Sequence, residues 1–309
     1  MDLCRNIMPI IEMSSENLRT VLVLIQAYIL LDAHAFLERY GRGFVAFCNR
    51  MFDDIRPEGI ILMVKVLEIC LKTDTTYGLE LVRPVLPYIF QQVYSNKDFP
   101  MLMGMYLTMV ARVLLISQQV FMECIQELQQ PDALEKILDV WITKMPLVTE
   151  LEKLKLFCLA FLSIFSNNPI LLERFPAIMQ NISDTLFEVM REDDDEPEDA
   201  NNPNKTKETK SVKYCDSLVF VDEYDLDTSS YCTMDDFDYK TYHYDRCRQL
   251  SLKDPVHKIA LPQYIEWQLN NLRTQLGDEA YQQLMRSVYP AVLERFVQFT
   301  NIQITFPIN

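Results

Sequence analysis

The sequence has little of the glycine and histidine that catalytic and nucleotide-binding loops use. Glycine occurs 6 times in 309 residues, so a tight phosphate-binding loop of the α/β type is not expected. Histidine occurs 3 times, and no two histidines have the spacing of a metal-ligand pair. The Gly-x-Ser-x-Gly sequence of serine hydrolases is absent as well. These absences predict a protein that is not an enzyme and binds no cofactor.

Cysteine spacing supports neither a metal centre nor a set of disulfides. The 8 cysteines include no Cys-x-x-Cys pair, which many zinc modules contain. His243 and Cys247, with Cys215 and Cys232 upstream, form the one ligand-like grouping, but its spacing fits no common zinc module, and we expect no metal site. The other cysteines lie in apolar helical patterns, where a reduced thiol packs as a small hydrophobic group. His34 lies in a similar pattern and is expected to pack there.

Positive charge is scarce too. Lys and Arg total 29 against 44 Asp and Glu, a formal net charge of -15, so the surface repels nucleic-acid phosphates and anionic lipids. The apolar run at 21–31 is too short to span a bilayer, and the first residues lack the layout of a signal peptide. We expect no nucleic-acid partner and no membrane insertion. The charge either favours basic protein partners or only maintains solubility.

What the sequence does contain is a series of short helical patterns. Apolar residues recur at three- and four-residue spacing through most of 1–190, as amphipathic helices require. Pro57 fits the first turn of a helix, and Pro84 and Pro87 are expected to shorten another. Thr149 and Glu152 have the spacing of a capping box. No strand pattern interrupts the helices.

The helical patterns also repeat in pairs. The first helices of successive pairs begin near Glu16, Pro57, Pro100 and Thr149, a period of roughly 40–50 residues that is typical of HEAT and armadillo repeats. One helix of each pair is apolar almost all round and its partner is more amphipathic, as stacked layers require. The sequence therefore predicts an all-α fold, a HEAT-repeat α-solenoid (superhelix). A globular helical bundle is the alternative.

A long polar segment at 191–253 interrupts the series and is expected to be a largely disordered insertion. Its first part is a run of carboxylates, and its second part alternates aromatic and acidic residues. Such groups can hold Lys or Arg through charge and cation–π contacts of ~0.5–2 kcal/mol each. The candidate contacts for a basic partner are Glu192, Asp193, Asp194, Asp195, Glu196, Glu198, Asp199, Asp222, Glu223, Tyr224, Asp235 and Asp236. Alternatively, the rings pack the segment onto the solenoid and the acids only keep it solvated.

Helical patterns return at 254–309, where a pair of helices is expected to cap the solenoid. Asp254 is suited to an N-cap and Pro255 to the first turn after it. Gly277 separates the two expected helices. The chain is thus predicted to have three parts: helical repeats at 1–190, the insertion at 191–253 and the capping pair at 254–309.

Three stretches make the sequence resemble a known family. They are "LLERFPAIMQNISDTLFEVMREDDDE", the acidic-aromatic insertion, and "DPVHKIALPQYIEWQLNNLRTQLGDEAYQQLMRSV". Together they are similar to the C-terminal part of nuclear transport receptors of the importin-β (karyopherin) family. The Asp-Pro-Val-His sequence that starts at Asp254 is the most specific element, and the resemblance covers most of the chain.

The resemblance implies a HEAT-repeat receptor that carries protein cargo through nuclear pores and releases it when RanGTP binds. With the acidic insertion, we expect that cargo to be basic. The resemblance further implies contacts with nucleoporins and shuttling between cytoplasm and nucleus, including residence at the nuclear envelope. In this family the principal Ran-binding surface lies in N-terminal repeats that this chain is expected to lack. The alternative function is a scaffold without a transport role, which would hold signalling or ubiquitin-pathway proteins.

Overall fold

The computed structural model describes residues 18–165, 168–194 and 242–300. Every regular element within these residues is helical. None of the described helices has both the length and the apolar composition that crossing a membrane requires. The helices form two compact units, and each unit buries apolar side chains of its own.

The first unit begins with helices whose apolar stripes pack together. These helices are α1 (Leu18–Leu31), α2 (Ala33–Phe36), α3 (Arg42–Met51), α4 (Pro57–Thr73) and α5 (Thr75–Val82), with a π-helical turn at Leu37–Gly41 and a 3-10 turn at Arg83–Val85. Pro57 opens α4 as predicted, because a first-turn residue needs no N–H for the helix ladder. α4 packs against both α1 and α5.

The contact between α4 and α5 depends on a glycine. Asp74 follows α4 and caps α5, accepting hydrogen bonds from the backbone N–H of Thr76 (3.1 Å) and Tyr77 (2.8 Å). A Cβ at Gly78 would lie only 2.4 Å from the carbonyl oxygen of Cys70 in α4. Since only glycine lacks that atom, Gly78 permits the close approach of the two helices.

Two helices that follow the polar segment belong to the first unit: α12 (Tyr242–Lys253), which packs on α1, and α13 (Pro255–Lys258). Asp254 lies between them and accepts a 3.0 Å hydrogen bond from the N–H of Val256, which confirms the predicted cap. The second carboxylate oxygen of Asp254 lies 3.8 Å from Nζ of Lys72 in α4, and that Nζ lies 3.2 Å from Glu68 Oε1. This buried ion network fastens the Asp-Pro-Val-His sequence to α4.

The second unit is built around two nearly all-apolar helices. Its elements are α6 (Leu86–Ser95), α7 (Pro100–Ile116), α8 (Gln118–Glu127), α9 (Ala133–Lys144), α10 (Leu151–Ile164), α11 (Pro169–Asp194), α14 (Leu261–Leu276), α15 (Asp278–Arg286) and α16 (Pro290–Phe299), with a 3-10 turn at Met145–Leu147. α7 packs against α6, α8 and α10. Trp141 of α9 lies between the rings of Phe157 and Phe161 of α10, with centroid distances of 5.6 and 4.3 Å.

The predicted all-α HEAT-repeat α-solenoid class is confirmed. First helices of successive pairs start at Pro57, Pro100 and Leu151, close to the predicted positions. Pro84 lies in the 3-10 turn that ends α5, and Pro87 lies in the first turn of α6. The cysteines predicted to pack as reduced thiols are free and buried at the four positions that the structure describes: Cys48, Cys70, Cys124 and Cys158.

Two predictions about single residues are wrong. His34 is exposed rather than packed, and it lies in the short helix Ala33–Phe36 that Asp32 caps. Glu152 does not close a capping box, since the N-cap of α10 is Glu150. Instead, Glu152 is buried, with Oε1 3.7 Å from Nη2 of Arg112 in α7. A charge partner from a distant part of the sequence thus determines its role.

The three-part division of the chain stays a prediction, but several boundaries differ where the structure describes them. The segment predicted as an insertion begins and ends in helix, at Pro169–Asp194 and Tyr242–Lys253, and 195–241 lies outside the described residues. The predicted capping pair comprises four helices, α13 to α16. Gly277, with φ of 81°, separates α14 from α15 as predicted, and Pro290 starts a further helix because proline suits a first turn.

Candidate binding groove

The predicted contacts for a basic partner fall outside what the structure describes. Glu192, Asp193 and Asp194 lie on the last turn of α11, where the backbone alone is described. Outside the described residues are Asp195, Glu196, Glu198, Asp199, Asp222, Glu223, Tyr224, Asp235 and Asp236. Their role therefore stays a prediction. The described residues contain a different candidate, a groove within the second unit.

This groove has a volume of about 780 Å³ and lies between α8, the start of α9, the end of α10, the start of α11 and one face of α14. Natural ligand sites have volumes of ~300–1,000 Å³. None of the described residues that line the groove is charged, whereas charged residues make up 24% of the chain. The groove therefore offers hydrogen-bonding amides and aromatic rings rather than ion pairs.

The sequence of α14 gives the helix two adjacent faces. One face is aliphatic and buried: Leu261, Ile265, Leu269 and Leu272. The other lines the groove, and we call it the amide–aromatic stripe: Tyr264, Trp267, Gln268, Asn271, Thr274 and Gln275. Residues three and four apart share a helix face, so the stripe runs along the helix axis. Packing of α14 on α10 holds it in place.

The two aromatic residues of the stripe lie against each other. Tyr264 and Trp267 have ring centroids 5.8 Å apart with planes inclined at 36°, and Gln268 donates a 2.9 Å hydrogen bond from Nε2 to the Tyr264 hydroxyl. The side chain of Trp267 is nevertheless 57% exposed. Asn271, one turn along, forms no side-chain hydrogen bond with any residue that the structure describes. An accessible indole and an unused amide are therefore neighbours on one helix.

The opposite wall is held together by side-chain to backbone hydrogen bonds. Gln118 Nε2 donates to the carbonyl oxygen of Ser163 and so links the start of α8 to the end of α10. Asn168 Oδ1 accepts a 3.0 Å bond from the N–H of Ile170 at the start of α11. Apolar surface on this side comes from Met122, Leu134, Ile164, Phe165 and Leu171. The groove thus has an apolar side that faces a polar and aromatic one.

A cluster of carboxylates lies next to the groove. Arg174, one turn after the lining residue Leu171, binds Asp139 with two hydrogen bonds of 2.6 and 3.1 Å. It also lies 3.7 Å from a carboxylate oxygen of Glu135 and 3.4 Å from one of Glu173. The hydrogen bond to Asp139 raises the pKa of Arg174, so the guanidinium keeps its charge. Three carboxylates around one cation leave this region negative.

The neighbouring cations are engaged as well. Nζ of Lys136 lies 4.0 Å from the centroid of the Tyr94 ring. Arg273 forms an ion pair with Asp278, and this pairing raises the pKa of Arg273. Lys136 keeps its positive charge in its ring contact. The carboxylates of Glu135, Asp139 and Glu173 and the cations of Arg174 and Lys136 therefore leave a net charge of about -1 next to the groove.

The arrangement offers hydrogen-bonding and aromatic side chains to a ligand. Among the described residues there is no group of three or more side chains that could hold a metal ion. The aliphatic face of α14 alone predicts the helix from the sequence. The uncharged residues at Tyr264, Trp267, Gln268 and Asn271 have the same helical spacing, and that second pattern is the signal that sequence reasoning missed.

Comparisons with known proteins agree with the helical-repeat architecture. The solved structure of Lph2, described as a novel bidirectional nuclear transport receptor in S. cerevisiae, is similar with a TM-score of 0.66; the match covers 98% of this chain and 32% of that chain at 20% sequence identity. At that identity the likeness concerns the fold. Importin-11 from Homo sapiens is 30% identical over 303 residues, and Importin-11 from Mus musculus is 29% identical over 302.

Each importin-11 match covers 96% of this chain and 29% of the relative, so the chain spans less than a third of the relatives' length. A family model described as importin-11-like TPR repeats matches residues 1–301. TPR and HEAT repeats are both stacked helix pairs, and the separation of Pro57 and Pro100 in the sequence fits the longer HEAT period of ~40–47 residues. The resemblance that the sequence suggested is confirmed, and the chain belongs to the importin-11-like family of helical-repeat proteins.

Proposed function

We propose that this chain is the cargo-binding C-terminal portion of a nuclear import receptor. The observation that carries the proposal is the family match along residues 1–301, and the likeness to a solved transport receptor along nearly the whole chain supports it. The groove adds a physical reason. It provides an uncharged, partly aromatic surface that suits a protein segment, and the role is binding rather than catalysis.

Cargo, in this proposal, is protein and basic, because the chain carries a net charge of -15 and opposite charges raise association rates. Ran in its GTP-bound state releases the cargo through N-terminal repeats of the receptor, and nucleoporins guide passage through the pore. The protein shuttles between cytoplasm and nucleus and is found at the nuclear envelope. The acidic residues between Glu192 and Asp199 contribute further cargo contacts.

Nuclear exchange of the intact chain tests the proposal. The 309-residue chain is fused to a fluorescent protein, and recovery of nuclear fluorescence after bleaching is compared with that of an inert fusion of equal mass. We expect the chain to exchange several-fold faster than the inert control, since a receptor segment binds the pore while an inert protein only diffuses. Equal rates would contradict a transport role and would favour a scaffold that holds other proteins in place.

A further inference from the structure

We propose that the groove binds an extended segment of a partner protein and that a Lys or Arg side chain of this segment lies against the face of Trp267. This inference rests on the proposed receptor function, because it specifies the chemistry of the cargo segment. It goes further by placing recognition on α14 and its neighbours rather than on the acidic segment that the sequence pointed to.

The length and polarity of the amide–aromatic stripe fit an extended peptide. Tyr264 and Gln275 are eleven residues apart, or about 17 Å along the helix at ~1.5 Å per residue. About five residues of an extended chain, at ~3.3 Å each, cover that distance. The side-chain amides of Asn271 and Gln275 each offer donors and an acceptor, which are the groups that pair with a peptide backbone irrespective of its sequence. The apolar side of the groove accommodates alternate side chains.

Electrostatics selects a basic occupant. Trp is the best cation–π partner among the aromatic residues, and Trp267 is the exposed ring at the groove. The carboxylates of Glu135, Asp139 and Glu173 outnumber the two neighbouring cations, Arg174 and Lys136, next to the groove. That excess of negative charge attracts a Lys or Arg side chain and disfavours an acidic segment.

Binding of one synthetic peptide tests the inference on the intact chain. The probe is acetyl-Gly-Arg-Ser-Arg-Ser-Arg-Gly-amide with a fluorescent label, and the matched peptide carries citrulline, which is neutral and of nearly the same shape, at each Arg. We expect anisotropy to show binding of the Arg peptide at least tenfold tighter than the citrulline peptide, with affinity that falls as salt is added. The chain has 2 tryptophans, and Trp141 is fully buried, so protection of fluorescence from acrylamide quenching reports on Trp267.

Four variants separate the contributions. Trp267→Ala is expected to weaken binding of the Arg peptide about tenfold, and Trp267→Leu by nearly as much, because leucine restores apolar surface without a ring. Trp267→Tyr should retain affinity within about threefold. The control is Tyr289→Ala in the same unit, since Tyr289 is 72% exposed and does not line the groove; it should bind like the unmodified chain. Circular dichroism confirms that each variant is folded.

Several results would overturn the inference. Equal binding of the two peptides, or full affinity in Trp267→Leu, would show that an apolar contact rather than a cation holds the segment. Sedimentation that reveals a dimer lost in Trp267→Ala would assign the groove to a second copy of the chain. Absence of peptide binding would also reject the inference, while rapid nuclear exchange would still support the receptor function. Conversely, peptide binding without rapid exchange would leave the groove assignment intact and reject transport.

Discussion

Lys72 is the cation on which the first unit's buried ion network depends, and its removal should be severely destabilising. Its Nζ lies 3.2 Å from Glu68 and 3.8 Å from Asp254, and the exposed fractions of the three side chains are 3%, 12% and 1%. Lys72→Met keeps the apolar stem and removes the charge. Because two buried carboxylates then lose their shared cation, we expect a loss of about 3–5 kcal/mol in the free energy of unfolding.

The magnitude follows from the burial of the network rather than from the number of its ion pairs. At an effective dielectric constant near 20, one charge pair at ~4 Å contributes about 4 kcal/mol of attraction, and desolvation of the charged groups offsets much of it in the intact protein. In the variant the desolvation remains while the attraction is gone. Replacement of Glu68 by Gln in the same chain removes one of the two buried carboxylate charges, so the double variant should be more stable than Lys72→Met alone.

The assay is urea unfolding followed by circular dichroism, with amide hydrogen exchange at Asp254–Lys258 as the local measure, since a chain of two units need not unfold in one step. Arg191→Met is the control: its ion pair with Glu188 is solvent-exposed, so the cost should be below about 1 kcal/mol. If Lys72→Met is as stable as Arg191→Met, and exchange at Asp254–Lys258 is unchanged, then the network does not anchor the segment that follows residue 253.

Three further predictions concern the two cores. Gly78→Ala should lower the free energy of unfolding in urea by about 1–3 kcal/mol, since the new Cβ meets the Cys70 carbonyl oxygen at 2.4 Å. Gly43→Ala, with nothing within 4 Å of its Cβ, should raise that free energy by up to ~1 kcal/mol. Equal effects of the two variants would contradict the packing of α5 on α4. Burial raises the pKa of Cys70 and Cys158 to about 12, so iodoacetamide should label them only after denaturation, and rapid labelling of the folded chain would refute their burial. Burial also raises the pKa of Tyr281 from 10.0 to about 12. The contribution of the neutral, buried Tyr281 to stability should therefore be complete below pH 10 and be lost as the pH rises towards 12. An ultraviolet titration in which all tyrosines of the folded chain ionise near pH 10 would contradict this prediction.

Local sequence signals predicted the helices well because their causes are local. Pro57 and Pro100 start helices for a reason that lies within one turn, and Asp254 caps the turn that follows it. Predictions failed where a distant residue decided the outcome. Glu152 has the spacing of a capping box, but Arg112 supplies a buried charge partner from another helix, and no local pattern carries that information.

The groove could not be derived from the sequence for the same reason. Trp267 and Asn271 share a helix face by their spacing, so the stripe itself was visible. The stripe lies opposite Gln118 and Asn168 only because α14 packs beside α10. These two helices are about a hundred residues apart in the sequence. Periodicity predicts which residues share a face and says nothing about which helix lies opposite.

Import of a cargo reporter by this chain tests the central claim most directly. The reporter is an inert protein too large to diffuse through the pore, fused to the Arg-Ser-Arg-Ser-Arg segment. Its accumulation at the nuclear envelope and in the nucleus is measured in permeabilised cells without added Ran, since the proposal places Ran binding on repeats other than those of this chain. We expect the unmodified chain to drive accumulation several-fold above the level without the chain, and Trp267→Ala to drive little. Nuclear accumulation that does not depend on the chain, or a reporter that the chain binds and keeps outside the nucleus, would contradict the account.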